Sequence, residues 1–210
     1  MIEVNAAMVS AAAEFTGKYS PYQAIEIRPN SKGAGVFISA TDSGRIAFMA
    51  FDETGKGDCV VHLLPTAELL KHARPLKTAT RTLRIEDSQA TVITERKTKS
   101  ESIEIPITLS KGGFADLAGV MQQVAQRWGK TPSMTETCGR YDAIYLQRAF
   151  KAIDVLGGSV VMAALDGGPL RIESSNQDVI VLVMPQTADP IPSLPNFLLS
   201  YGHTGQQRAA

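Results

Sequence analysis

The order of strand and helix signals repeats along this chain. A short strand, a helix and three strands are predicted within residues 1–51, and the same order returns within residues 59–109. Two β-α-β-β-β units of this kind, packed side by side, make one antiparallel sheet with both helices on one face, which is an α+β arrangement. With 210 residues, the chain is long enough to bury a core of that size. The repeat therefore predicts an α+β fold built from small units.

Capping residues and turn residues set the predicted boundaries. Asn5 is expected to cap the first helix, and Pro75 to stop the second, because proline has no N–H to donate. The predicted helices of the two units cover 6–18 and 66–74, and their predicted strands cover 1–4, 24–28, 35–40, 45–51, 59–64, 80–86, 90–95 and 102–109.

Residues 110–140 interrupt the repeat. Apolar side chains from Leu117 to Trp128 recur at helical spacing, so a helix is predicted there, and 129–139 is predicted to be a loop. A third, shorter unit follows, with a helix predicted over 141–155 and strands over 159–165, 170–174 and 179–184. The last of these strands, 179–184, is apolar at nearly every position, as expected for a strand buried on both faces.

This pattern predicts four parts along the chain. Residues 1–112 form a complete domain of two units, and 113–140 form a helical linker and loop. Residues 141–187 correspond to half a domain of the same plan. A C-terminal tail follows over 188–210, because its closely spaced prolines exclude regular structure.

Charge and cysteine content narrow the class of protein. The 21 Lys and Arg residues balance 21 Asp and Glu, so any contact with DNA must come from local segregation of charge. No segment approaches the roughly 20 apolar residues of a membrane span, so we expect a cytoplasmic protein without a membrane partner. A disulfide between Cys59 and Cys138 is one alternative, and two buried free thiols in a reducing compartment are the favoured one.

The sequence indicates neither an enzyme nor a metal site. His62, His72 and His203 lack the spacing to Cys, Asp or Glu partners that metal ligands show, so structural or surface positions are favoured. There is no glycine-rich phosphate loop after a strand, no nucleophile elbow and no motif of paired carboxylates. We therefore expect a protein that is not an enzyme and uses no cofactor.

A turn in the first unit has an informative sequence. Residues 40–47 are Ala-Thr-Asp-Ser-Gly-Arg-Ile-Ala; Gly44 can adopt the positive φ of a hairpin turn, and Asp42 can bond its own backbone two residues on. This segment resembles the Ala-Thr-Asp-Gly-His-Arg-Leu-Ala signature of the bacterial DNA polymerase III beta sliding clamps. Two later segments resemble the same family in the same order. Phe114–Val120 is similar to the stretch that joins a clamp's second and third domains, and Tyr145-Leu146 with Val181–Pro185 is similar to parts of the last domain.

The resemblance implies the DNA-clamp fold, in which helices line a channel and sheets form the outer rim. In that family the three segments converge on a hydrophobic cleft that binds short peptide motifs of polymerases and repair proteins. Leu, Ile, Val and Met side chains give such a cleft an adaptable floor. Carried over to this chain, the cleft residues are Thr41, Gly44, Arg45, Ile46, Val120, Leu182, Met184 and Pro185.

The resemblance also implies helices that face double-stranded DNA and contact it independently of sequence. The predicted helices carry only a mild excess of positive charge, which a solvated helix face explains about as well as DNA contact does. The candidate DNA-facing residues are Lys71, Arg74, Lys77, Arg127, Lys130, Arg148 and Lys151.

Two functions remain open at this point. The first is a DNA polymerase processivity factor that binds partner peptides and encircles DNA as a homo-oligomer, where a ring of about twelve units would need four such chains. The second is a clamp-derived module that makes no ring and acts as a decoy or modulator of replication proteins, of the kind that phages or mobile elements encode. A separate hypothesis places the tail segment Phe197-Leu198-Leu199 in the cleft; packing against the body of the protein is its simpler interpretation.

Overall fold

The structure of the protein, a computed structural model, describes residues 1–128, 137–164, 168–176 and 178–190. None of the helices in these ranges is long and apolar enough to cross a membrane. The helices are α1 (Ala6–Ala13), α2 (Ala67–Ala73), α3 (Leu117–Trp128) and α4 (Ala143–Leu156). The strands are β1 (Ile2–Asn5), β2 (Ile25–Pro29), β3 (Val36–Asp42), β4 (Ile46–Asp52), β5 (Lys56–Gly57), β6 (Val61–Leu64), β7 (Thr80–Glu86), β8 (Gln89–Glu95), β9 (Ser100–Pro106), β10 (Thr108–Leu109), β11 (Thr137–Arg140), β12 (Val160–Ala164), β13 (Leu170–Ser174), β14 (Val179–Val183) and β15 (Thr187–Pro190).

One structural unit occurs three times. Each unit consists of a strand, a helix, three further strands and a short closing strand; the units run from β1 to β5, from β6 to β10 and from β11 to β15. In every unit the closing strand pairs antiparallel with the first strand. The α+β arrangement predicted from the sequence repeat is confirmed, and the third unit has the same elements as the first two.

The first two units exchange their first strands. β1 of the first unit pairs with β7 of the second, and β6 of the second pairs with β2 of the first. The five-stranded sheet therefore has the order β5-β1-β7-β8-β9, and the corresponding half of the larger sheet has the order β10-β6-β2-β3-β4. Each unit completes a sheet of the other, so the first two units form two sheets and the predicted single sheet is wrong.

The third unit joins the first edge to edge. β14 pairs antiparallel with β4, from Val179 opposite Ala50 to Val183 opposite Ile46. The result is one eight-stranded sheet that continues through β14, β13 and β12. Above this seam α1 and α4 pack side by side, so the two units are held by backbone hydrogen bonds and by helix packing.

Strand alternation divides the side chains of the large sheet between two faces. Phe48 and Val181 are fully buried on the face covered by α1 and α4. On the opposite face, Leu117 of α3 packs against Ala47 and Leu182. β14 is therefore covered on both faces, which explains its nearly continuous apolar sequence.

Side-chain caps start three of the helices. Asn5, Thr66 and Asp142 each accept a hydrogen bond from a backbone N–H of the first turn of the helix that follows. The helix predicted over 6–18 ends at Ala13, because the next N–H groups donate to carbonyls three residues back and tighten the chain into turns.

Two segments predicted to be irregular form strands. Thr137–Arg140 lies at the end of the predicted linker and loop (113–140), and Thr187–Pro190 lies across the start of the predicted tail (188–210), yet they pair with each other as β11 and β15. Local sequence carries little signal for such a pairing, because its partners are about 50 residues apart. Proline is tolerated at the end of a strand. The rest of the predicted loop, Lys130, His203 and the segment Phe197-Leu198-Leu199 lie outside the described residues.

Cys59 is exposed, contrary to the predicted buried thiol. It lies in the connector between β5 and β6. A hydrogen bond to the Asp58 carboxylate raises the pKa of the Cys59 thiol, because that contact favours the protonated form. The side chain of Cys138 is outside the described part of the chain.

Candidate partner-binding cleft

A cleft of about 420 Å³ opens where the first unit, the third unit and α3 meet. It lies on the side of the eight-stranded sheet that α3 covers, at the end of the seam between β4 and β14. Its walls are the hairpin between β3 and β4, the end of β14 and one side of α3. These walls belong to the three segments in which the sequence resembles sliding clamps, although Tyr145 and Leu146 of the third segment pack against the main core and do not line the cleft.

The hairpin wall is a two-residue turn. Ser43 and Gly44 have φ values of 53° and 69°, and the Arg45 N–H donates to the Asp42 carbonyl at 3.0 Å. Positive φ at both central residues is typical of the turn that best matches the twist of a β-hairpin. Gly44 thus has the predicted conformation and brings only backbone to the mouth of the cleft.

The end of β14 is fixed to this hairpin. The Met184 N–H donates to the Arg45 carbonyl at 2.9 Å, and Leu182 lies opposite Ala47 in the β14–β4 ladder. Thr41, Ala47 and Leu182 alternate onto the same face of the sheet, so their side chains form the floor of the cleft.

The third wall is α3. Asp116 precedes the helix and accepts a hydrogen bond from the Gly119 N–H at 3.0 Å, which holds the first turn. Leu117, Val120 and Val124 follow at helical spacing and line the cleft. Leu117 is almost fully buried, whereas Val120 is 43% exposed and presents its side chain to an incoming ligand.

The structure brings together most of the predicted cleft residues. Thr41, Gly44, Val120, Leu182 and Met184 line one continuous surface although they come from three distant segments. Met184 is 41% exposed. Its flexible thioether can therefore contact a bound ligand as well as the other residues of the cleft wall.

The other three predicted residues occupy different positions. Ile46 is fully buried on the opposite face of the sheet, because it alternates with Ala47 along β4. Arg45 is exposed beside the cleft and contributes its backbone carbonyl to the hairpin–β14 contact. Pro185 is half-buried and follows Met184 without lining the cleft.

Several lining residues were not predicted. Two of them could have been predicted from the sequence. Side chains alternate between the two faces along β4, which places Ala47 toward the cleft, and Val124 lies one helical turn after Val120. Tyr22 and Pro169 reach the cleft from loops, and no local pattern indicates their proximity. The remaining unpredicted lining residues are Ala115, Asp116, Leu117 and Gln123.

Arg148 connects the third unit to the first beside the same hairpin. Its guanidinium donates to the carbonyl oxygens of Glu14 and Thr16 and to the Asp42 carboxylate, the last at 2.7 Å. Only 21% of the Arg148 side chain is exposed. Asp42 therefore accepts hydrogen bonds from Arg148 and from the Ser43 hydroxyl, instead of the predicted bond to its own backbone.

The candidate DNA-facing residues of the third unit are already paired. Lys151 of α4 forms an ion pair with Glu14 at 2.7 Å, and Arg148 has the three acceptors described above. Both therefore act first as contacts between α4 and the C-terminal end of α1. Arg148 is better explained by this structural role than by contact with phosphate.

The remaining candidates lie on two different elements. Lys71, Arg74 and Lys77 are exposed on α2 and in the segment after it. Arg127 belongs to α3, which lies on the opposite face of the large sheet from α1 and α4, so its helix does not share a surface with theirs. The Arg127 side chain and the whole of Lys130 are outside the described residues.

His62 has a structural environment. Its Nε2 lies 3.2 Å from a carboxylate oxygen of Glu26, and its ring stacks on Phe114 with the ring centroids 5.6 Å apart. His72 lies within α2. In the part of the chain that the structure describes, no group of three His, Cys, Asp or Glu side chains is placed to hold a metal ion.

Comparison with known proteins finds similarity in structure only. No family model and no curated protein matches the sequence. PCNA from Thermococcus kodakaraensis superposes with a TM-score of 0.58 at 10% identity, over 89% of this chain and 100% of that chain. The DNA polymerase sliding clamp from Pseudomonas aeruginosa gives 0.55 at 12% identity, over 88% of this chain and 66% of that chain. The beta subunit of DNA polymerase III from Thermotoga maritima gives 0.51 at 10% identity, over 95% and 67%.

These similarities show that the chain has the DNA-clamp fold, as its sequence motifs imply. The chain spans about two thirds of the length of the bacterial clamp chains it matches. A bacterial clamp of three two-unit domains is implied to have six units, and the described residues of this chain form three, so its share of the units is smaller than its share of the length.

Proposed function

We propose that this protein is a sliding-clamp-like processivity factor that binds short apolar peptides of DNA polymerases or repair proteins in the cleft. The observation that carries the proposal is the convergence of the three clamp-like segments on one surface. The neighbours by structure are a PCNA and DNA polymerase sliding clamps, which supports the same class of function.

The chemistry of the cleft suits a peptide with apolar side chains. Its floor and α3 wall are formed by aliphatic groups, including Leu182, Val120 and the thioether of Met184. Burying one Leu or Phe side chain of a partner contributes about 1.5–3 kcal/mol. The exposed Arg45 side chain beside the turn and the Asp116 carboxylate on the rim can orient the peptide by charge.

Replacing Met184 by aspartate should weaken peptide binding at least about 30-fold, because a charge on the cleft wall must be desolvated when an apolar side chain binds. The measurement is fluorescence polarisation of a labelled peptide that ends in a Leu/Phe cluster. V60D is the matched control, since Val60 is similarly exposed but lies away from the cleft. Wild-type protein that fails to bind, or M184D with unchanged affinity, would contradict the assignment.

The second part of the proposal is an oligomeric ring around double-stranded DNA. If a ring needs about twelve units, four chains of three units would close it. We expect light scattering to give the mass of four chains. We also expect an association with DNA that is independent of sequence and weakens as salt is raised, with K71E and K77E together weakening it further.

A non-ring module is the second candidate, and one observation favours it. Arg148 and Lys151 are two of the five basic candidates whose side chains the structure describes, and both are paired with acidic side chains of the first unit. Such a protein would compete for clamp partners without encircling DNA. A monomer that binds the peptide but shows no salt-sensitive DNA association would favour this candidate over the ring.

A further inference from the structure

The third unit leaves an apolar strand at the edge of the large sheet. β12 pairs with β13 on one side and is the terminal strand of the sheet in the described residues. Val160, Val161 and Met162 are 42%, 48% and 54% exposed. The strand carries no charge along its length, and an uncharged apolar edge is a ready template for pairing with another strand.

The edge strand β9 of the five-stranded sheet is different. β9 carries Glu101 and Glu104, both exposed. Charged side chains on an edge strand oppose unwanted pairing, so this edge has a feature that protects it. The contrast indicates that β12 is the edge that is open to pairing with another strand.

The first two units show what covers an edge of this kind. β2, β7 and β12 correspond to one another, because each is the first strand after the helix of its unit. β2 pairs with β6, and β7 pairs with β1. In both cases the edge receives the first strand of another unit.

The third unit also has a strand of the donating kind. β11 pairs with its closing strand β15, as β1 pairs with β5 and β6 pairs with β10. β1 and β6 each use their second edge to complete a neighbouring unit. In the described part of the chain, β11 and β15 form a two-stranded sheet of their own.

The helix of the third unit adds apolar surface to the same half-domain. Ile144 and Phe150 of α4 are 64% and 41% exposed. In the first pair of units the corresponding helices, α1 and α2, contact each other beside the exchanged strands. A second helix of the same kind would cover part of this surface of α4.

We propose that two copies of this chain complete the half-domain by reciprocal exchange, so that β11 of each copy pairs with β12 of the other. The first and second units already complete each other, so the described part of the chain holds no further unit of this design. A second copy supplies one. The exchange is symmetric about a two-fold axis and closes both edges at once, which is the property of an isologous dimer. It uses neither the cleft nor DNA, so it stands independently of the proposed function.

A lysine on the β12 edge should prevent this pairing. M162K and V161K introduce a charge at positions that are solvent-exposed in one chain, so each variant is expected to fold while the assembly loses its exchange interface. Light scattering should give an even number of chains for the wild type and half that number for either variant. V60K is the control for an exposed valine elsewhere, and I103K tests the edge strand β9; neither should break the dimer.

A cross-link identifies the strands that meet. A benzophenone amino acid at position 162 is irradiated in a mixture of ¹⁴N- and ¹⁵N-labelled protein, and the cross-linked peptides are identified by mass spectrometry. We expect mixed-label products that join position 162 to residues 137–140. A monomeric wild type, a number of chains that M162K leaves unchanged, or cross-links from position 162 only within one chain, to residues 191–210 for example, would overturn the proposal.

Discussion

Replacing Arg148 by methionine is expected to lower the free energy of unfolding by about 2–4 kcal/mol. The substitution keeps much of the apolar stem but removes the guanidinium. It leaves the Asp42 carboxylate and the carbonyl oxygens of Glu14 and Thr16 without their donor in a place with little access to water. The measurement is urea-induced unfolding followed by circular dichroism, with the slope of the transition compared between the variants.

Lys151 offers the matched control. Its ammonium forms an ion pair with Glu14 in the same region, but 62% of the side chain is exposed. K151M should therefore change the free energy of unfolding by less than about 1 kcal/mol. Equal effects of R148M and K151M would contradict the structural role given to Arg148 and would return it to the DNA-facing candidates.

The sequence predicted the units better than it predicted their assembly. Local signals predicted three features correctly. Asn5 caps a helix, Gly44 lies in a hairpin turn, and the apolar spacing in the third unit marks the helix α4. The pairing of β11 with β15 was missed because it depends on residues about 50 positions apart. The exchange of β1 and β6 between units likewise has no local signature, since both strands look like ordinary short edge strands.

The cleft was predicted in part for a comparable reason. Motif resemblance located the hairpin and the end of β14 but treated consecutive residues as equivalent. Strand geometry separates them, because Ala47 faces the cleft while Ile46 faces the core. Loop residues such as Tyr22 enter the site only through tertiary structure, so no pattern within their own segment could indicate them.

The same geometry limits what Arg148 can do for DNA. An arginine in a helix of a clamp fold is a natural candidate for a phosphate contact, and the sequence shows no partner for it nearby. The structure supplies acceptors more than 100 residues away, at Asp42 and at the end of α1. A basic residue in such a helix therefore predicts DNA contact only when its side chain has no closer acceptor, so Lys71 and Lys77 are better candidates for a test of DNA contact.

Replacing Phe48 by alanine should have the largest effect on stability, lowering the free energy of unfolding by about 3–5 kcal/mol. Phe48 is fully buried between Ala40 of β3 and Val181 of β14, and its ring stacks on Phe15 with the ring centroids 4.9 Å apart. It thus contacts both units that form the cleft, and removing its ring leaves a cavity beneath their seam. The measurement is urea unfolding with two probes, far-ultraviolet circular dichroism and the fluorescence of a dye attached to Cys59.

Phe37 gives a control on the other face of the same sheet. Its ring is tilted against that of Phe51 with the ring centroids 4.8 Å apart but is only half-buried, so F37A should cost about half as much as F48A. If the seam is part of one cooperative core, F48A shifts both probes together, because the first and third units unfold as one. A transition of F48A that separates by probe, or a cost no larger than that of F37A, would mean that the third unit is only loosely attached and that the cleft between the units is not a fixed surface.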